Sequence, residues 1–199
     1  MLILLDFGHG INTPGKCSPD GKFREYKYVR EIGREVYKDL KVRGYNVCIL
    51  VPEDIDISLE ERVHRANIWC NKIGSKNVIL VSIHVNAANN GKWTKARGWS
   101  VFTSRGLTKS DKLASILYEA AEKQMPTQTF RKEYSDGDAD WEAGLYILKH
   151  TKCTAVLTEN FFMDNKDDLT YLTSEEGRKA IITTHVTGII KYIKTYGQT

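Results

Sequence analysis

Leu2-Ile3-Leu4-Leu5-Asp6-Phe7-Gly8-His9-Gly10 is the stretch whose reading decides the fold. An apolar run of that length reads as a buried strand, and glycines on both sides of His9 let the backbone turn sharply while leaving the imidazole unobstructed. The pattern recurs in Val78-Ile79-Leu80-Val81-Ser82-Ile83-His84-Val85-Asn86, and a third apolar run, Thr154-Ala155-Val156-Leu157-Thr158-Glu159-Asn160, closes on an acid. In an open α/β sheet, ligands gather outside the carboxyl ends of the strands, so His9, His84 and Glu159 are expected to converge on one crevice. Glu25 opens a long amphipathic stretch after the His9 loop and can reach the same crevice from a helix. Two strand-end histidines suggest a metal. A hydrolytic zinc site needs three protein ligands, an open position for water and a nearby general base.

The scaffold follows from periodicity and stop signals. A strand over 2–6 leads to a helix over 24–43, where Tyr28, Ile32, Val36 and Leu40 recur at helical spacing before Gly44. After a strand over 46–50, Ser58 and Glu61 form a capping box for a helix ending near 73, with Leu59, Val63, Ala66, Ile68 and Ile73 on its apolar side. Strands are expected over 78–83, 98–103, 146–148 and 154–158. Helices are expected over 107–124, ending before Pro126, and over 174–192, with Ala180, Ile181, His185, Gly188 and Ile189 inward. This alternation predicts a single α/β domain over 1–199, built on a largely parallel mixed sheet with helices on both faces.

Composition narrows the class. With 199 residues, 41% of them hydrophobic, the chain can bury one core, and no Pro/Gly/Ser-rich linker divides it. No apolar run approaches the ~20 residues of a membrane span. The net charge of +4 is spread among acids, which argues against a nucleic-acid surface. Cys17, Cys48, Cys70 and Cys153 show no C-x-x-C spacing and are expected to be free thiols, with Cys48 and Cys153 as small buried hydrophobes. The N-terminus lacks the basic region and small-residue cleavage site of a signal peptide.

Two connections stand out. Pro126 to Gly144, which carries Tyr134, Asp136, Gly137, Asp138, Asp140 and Trp141, is either a substrate-binding rim with Trp141 as a stacking platform or a mobile surface loop. Ala87 to Arg97 contains an Asn89-Asn90-Gly91 turn and an exposed Trp93, and is too short to hold an inhibitory helix across a cleft.

The order of these motifs resembles the zinc-dependent N-acetylmuramoyl-L-alanine amidases of the Amidase_3 type. The resemblance is carried by Leu-Leu-Asp-Phe-Gly-His-Gly, then Glu25, then Asp56-Ile57-Ser58-Leu59-Glu60-Glu61-Arg62-Val63 with Ala66-Asn67, then Ser82-Ile83-His84-Val85-Asn86-Ala87, and finally Val156 to Phe162 with Asn165. It implies a Zn²⁺ held by His9, Glu25 and His84, and Glu159 as the catalytic glutamate. It also implies peptidoglycan as substrate, cut at the amide between the lactyl group of muramic acid and L-alanine. Asp6 and Asn86 are expected to fix the imidazoles by hydrogen bonds. The chain departs from the family in its Ile11 to Lys22 loop, which replaces a glycine-rich one, and at Asn160, where a small or apolar residue is common.

Taken singly, each residue has a plainer reading. His9 fits a loop histidine satisfied by carbonyls, His84 a strand cap, Glu25 a solvated helix face beside Arg24, Lys27 and Arg30, and Glu159 a structural carboxylate. His64, His150 and His185 are expected to be surface or core residues. The alternatives to an amidase are another zinc hydrolase of wall peptides, such as a carboxypeptidase or deacylase, and a non-catalytic wall-binding module. A monomer is expected, acting on the cell wall in the periplasm or outside the cell. Without a leader, delivery through a holin-type lesion, as for a phage or prophage lysis enzyme, is favoured over a secreted autolysin, unless a leader has been trimmed away.

Overall fold

In the computed structural model, which describes residues 1–89, 91–135 and 137–197, the first apolar run is the strand β1 (Leu2–Phe7), buried along its whole length. It is followed by α1 (Glu25–Val42), β2 (Asn46–Ile49), α2 (Leu59–Ile73), β3 (Val78–Asn86), β4 (Ser100–Thr103) and α3 (Lys109–Gln124). The chain closes with β5 (Trp141–Glu142), α4 (Tyr146–His150), β6 (Thr154–Phe162), α5 (Lys166–Thr173) and α6 (Glu175–Tyr196). The strands lie in the order β2-β1-β3-β6-β4-β5. β2, β1, β3 and β6 are mutually parallel, and β4 runs antiparallel to β6 with β5 parallel to β4. From β1 the chain leaves to one side for β2 and returns on the other side for β3, so the switch point lies between β1 and β3.

Alternation along β1 sorts the core. Ile3, Leu5 and Phe7 join α1, α3, α5 and α6 on one face of the sheet, and Leu2 and Leu4 join α2 and α4 on the other. The expected fold, a mostly parallel mixed sheet with helices on both faces, is what forms. α1 lies close against β1 because residue 33 is glycine: a Cβ there would sit 2.0 Å from the Phe7 ring.

Several expectations are corrected. Residues 146–148 form not a strand but the short helix α4, whose first turn closes on the Leu145 carbonyl through the amides of Leu148 and Lys149 and packs Ile147 and Leu148 toward α2. On α2 the buried positions are Arg62, Val63, Ala66 and Cys70, while Leu59 and Ile68 are about half exposed, at 48% and 49%. Ser58 does cap α2, accepting from the Glu61 amide, but Glu61 turns to Arg65 instead of completing the box. The 126–144 connection holds β5 and a bridge from Phe130 to Trp99, so it is partly built into the sheet edge. β3 and β6 run longer than expected and contain His84 and Glu159 within them. Asn90 of the predicted turn and Asp136 lie outside the described residues. All four cysteines are free, with Cys70 buried and Cys48 and Cys153 half-buried. Among the described residues no helix is long and apolar enough to cross a membrane.

Candidate metal centre

His9 follows β1 in the left-handed backbone region at φ 57°, a conformation that a non-glycine residue keeps only when its surroundings impose it. Two buried arginines do so. Arg30 donates to the His9 carbonyl at 2.8 Å and the Gly8 carbonyl at 3.3 Å, and Arg62 donates to the Phe7 carbonyl at 2.7 Å. Arg30 is therefore not a partner of Glu25 on a solvated face; it braces the loop that carries His9. A cation on the buried side of α1, among Val29, Ile32 and Gly33, is the sequence signal for it.

Glu25, the first residue of α1, is 1% exposed and turned into the same crevice. Its amide donates to the Lys16 carbonyl, which ties the loop after His9 to the helix start. Its Oε1 accepts from the Val85 amide at 3.0 Å and lies 3.1 Å from His84 Nδ1, while Oε2 lies 3.5 Å from His9 Nε2. The two imidazoles meet edge-on with ring centroids 5.1 Å apart. His9, Glu25 and His84 each offer one ligand atom, and these lie within 4.8 Å of one another. Gly8 makes the cradle: a Cβ there would fall 2.4 Å from the His84 ring.

Glu159 is the in-register neighbour of His84 across β3 and β6. Its Oε2 is buried without a hydrogen-bond partner, as is Oε2 of Glu25. Burial pushes the Glu159 carboxyl up to about 8, with His84 opposing and Glu25 adding to the rise. Burial likewise lowers His9 to about 4. At Glu25 burial favours the neutral acid, yet the contacts with His84 and His9 outweigh it and hold the carboxyl below its ordinary range. A buried carboxylate between two imidazoles, with one oxygen lacking a hydrogen-bond partner, is what a divalent cation would satisfy, so the residues present fit a metal ion.

His9, His84 and Glu159 line a cleft of about 600 Å³, with the buried Glu25 carboxylate in contact with the two imidazoles. Ile57, Leu59, Leu145, Tyr146, Ile147 and Leu157 form its apolar wall, and Lys16 stands at its rim. Leu59 is thus exposed to the cleft and not wasted on bulk solvent.

Two expected roles are not found. Asp6 does not hold an imidazole; it accepts from Arg62 at 2.8 Å and from the Ser82 hydroxyl, because the arginine that braces the His9 loop needs a buried counter-charge. Asn86 accepts from the amide of its own neighbour Ala87. Trp141 is half-buried, donates to the Arg131 carbonyl at 3.2 Å and packs under the Arg131 guanidinium, which covers one face of the indole. His64 and His150 are exposed, and His185 is fully buried in the core.

The fold and the donor set together define a parallel-sheet α/β protein with a candidate mononuclear metal site at its topological switch point. The Amidase_3 family, N-acetylmuramoyl-L-alanine amidase, matches residues 3–191, and the chain belongs to that family. It is 28% identical over 195 residues to the endolysin of Bacillus phage SPP1, covering 96% of this chain and 66% of that protein. It is 26% identical to the N-acetylmuramoyl-L-alanine amidase AmiC of Neisseria meningitidis serogroup B, covering 98% of this chain and 53% of AmiC. The chain therefore spans between about half and two thirds of the length of these relatives. The catalytic domain of CwlV from Bacillus (Paenibacillus) polymyxa var. colistinus shares the fold, with a TM-score of 0.80 at 21% identity over 97% of this chain and 98% of that one.

Proposed function

We propose that this chain hydrolyses the amide between the lactyl group of N-acetylmuramic acid and the first L-alanine of the peptidoglycan stem peptide, with His9, Glu25 and His84 holding Zn²⁺ and Glu159 carrying the proton. The observation behind this reading is the convergence of two imidazoles and a carboxylate beside a second, unpartnered carboxylate. That donor set suits four-coordinate zinc with one position left for water or substrate. When bound there, zinc supplies Lewis acidity, which lowers the pKa of a water toward ~7 and polarises a carbonyl.

The chain's own residues do the rest. Glu159 removes a proton from the attacking water, whose oxygen bonds to the lactyl carbonyl carbon. As the carbon–nitrogen bond breaks, Glu159 returns that proton to the alanine nitrogen, because an amine leaves poorly as an anion. Glu159 lines the same cleft as His9 and His84, so one carboxylate can serve both halves of this cycle. Arg30 and Arg62 hold the backbone around His9, and the Val85 amide holds Glu25, which in turn contacts His84, so the centre is set before substrate arrives. We take the protein to work as a monomer on the cell wall, since all four groups come from one chain.

Mass spectrometry of digested peptidoglycan tests this. Free glycan strands with intact stem peptides beginning with L-alanine are expected. Stem peptides shortened at their far end, with the muramyl–alanine bond intact, would instead assign a carboxypeptidase.

A further inference from the structure

The peptide unit joining His84 to Val85 is held at both ends. Its N–H donates to Glu25 Oε1 at 3.0 Å, and its carbonyl accepts from Asn160 Nδ2 at 2.9 Å. Asn160 is fully buried and its other polar atom is also engaged: Oδ1 accepts from the Trp99 indole N–H at 2.8 Å. Nδ2 additionally lies 3.3 Å from Thr158 Oγ1.

This clamp sits where the sheet is irregular. His84 pairs with Glu159 and Asn86 with Phe162, so two steps along β3 match three along β6, a bulge at Asn160 and Phe161. Phe161 there adopts φ 63°. A bulge disrupts the backbone ladder locally, at the one point where the proposed centre needs a fixed backbone. A carboxamide whose donor and acceptor are both committed restores a directed bond that an apolar side chain of the same size does not offer.

We propose that Asn160, braced by Trp99, is a positioning residue of the metal centre. By fixing the His84–Val85 peptide it sets the aim of the His84 imidazole and, through the Val85 N–H, that of the Glu25 carboxylate. The inference rests on the reading of His9, Glu25 and His84 as metal ligands and extends it. Asn160 does not line the cleft and acts only through those two side chains.

The test is the zinc dissociation constant of the metal-stripped protein, measured by competition with a chromophoric chelator, alongside melting curves with and without zinc. Loss of an outer partner of a metal ligand typically weakens binding by roughly 10–100-fold. Asn160→Leu is expected to fall in that range, and Trp99→Phe, which keeps a ring in the core but frees Asn160 Oδ1, to weaken zinc in the same direction by less. The rise in melting temperature on adding zinc should shrink in both. Trp99→Phe carries the test if Asn160→Leu does not fold. A purely packing role predicts lower melting of the metal-free protein with zinc affinity within about threefold of the parent, and that result overturns the inference alone. A parent protein that binds no zinc overturns it together with the proposed function.

Discussion

His84 and Glu159 stand opposite each other on adjacent parallel strands, so one register places a potential metal ligand beside the carboxylate proposed to move the proton. Neighbouring strands lie ~4.8 Å apart, which brings the two side chains to the same cleft without either crowding the other's backbone. The same adjacency explains the acid: with burial dominant and His84 only partly offsetting it, Glu159 holds its proton far more tightly than an exposed glutamate.

Gly8→Ala should disarm the centre with little effect on the fold. The added Cβ would meet the His84 ring at 2.4 Å, and the ring, being the softer partner, should turn away. Overpacking of this kind costs roughly 1–3 kcal/mol. Metal content after dialysis against limiting zinc should drop at least tenfold; retention of full zinc with parental activity would show that His84 does not depend on that cradle.

Arg62→Met should destabilise the protein through Asp6. Both side chains are nearly fully buried and paired at 2.8 Å, so removing the guanidinium strands a carboxylate and several carbonyls. Breaking one partner of a buried pair costs about 3–5 kcal/mol. Urea unfolding measures it; a loss under about 1 kcal/mol would contradict the dependence of Asp6 on Arg62.

His185 should make stability fall in acid. It is fully buried, its Nδ1 lies 2.8 Å from the Ile181 carbonyl and its Nε2 lies 2.9 Å from the Thr158 hydroxyl, and burial lowers it to about 4 from 6.5. Between those values the unfolded chain binds a proton that the folded chain refuses, so stability drops as pH falls from 6.5 toward 4, by about 3 kcal/mol in all. Above 6.5 both states are neutral and the group contributes no slope. His185→Gln should flatten the unfolding free energy over that window by about one proton; an unchanged slope would contradict the assignment.

The parts of the site that were legible in the sequence are those delivered by strand ends. An apolar run stopping at His9, a second reaching His84 and a third reaching Glu159 fix position by topology alone, and Glu25 follows as the first residue of the next helix. What holds these residues was not legible, because it depends on long-range contacts: Arg62 reaches Asp6 and Arg30 reaches the His9 carbonyl only once α1 and α2 pack on opposite faces of β1. The strand expected at 146–148 failed because three apolar residues cannot distinguish a strand from one turn of helix. The bulge at Asn160 and Phe161 was hidden for a different reason, since a phenylalanine at φ 63° carries no glycine to announce it.

The central claim separates two carboxylates of one site, Glu25 as ligand and Glu159 as proton carrier, and the most direct measurement is zinc stoichiometry together with turnover of a muramyl peptide in Glu159→Gln and Glu25→Gln. Glutamine is nearly isosteric with glutamate, so neither variant opens a cavity. Glu159→Gln should keep close to one zinc per chain and lose roughly 10²–10⁴-fold in turnover, as expected on removing a general acid–base, while Glu25→Gln should lose the metal as well. A Glu159→Gln protein without zinc, beside a Glu25→Gln protein that retains both zinc and activity, would contradict the account.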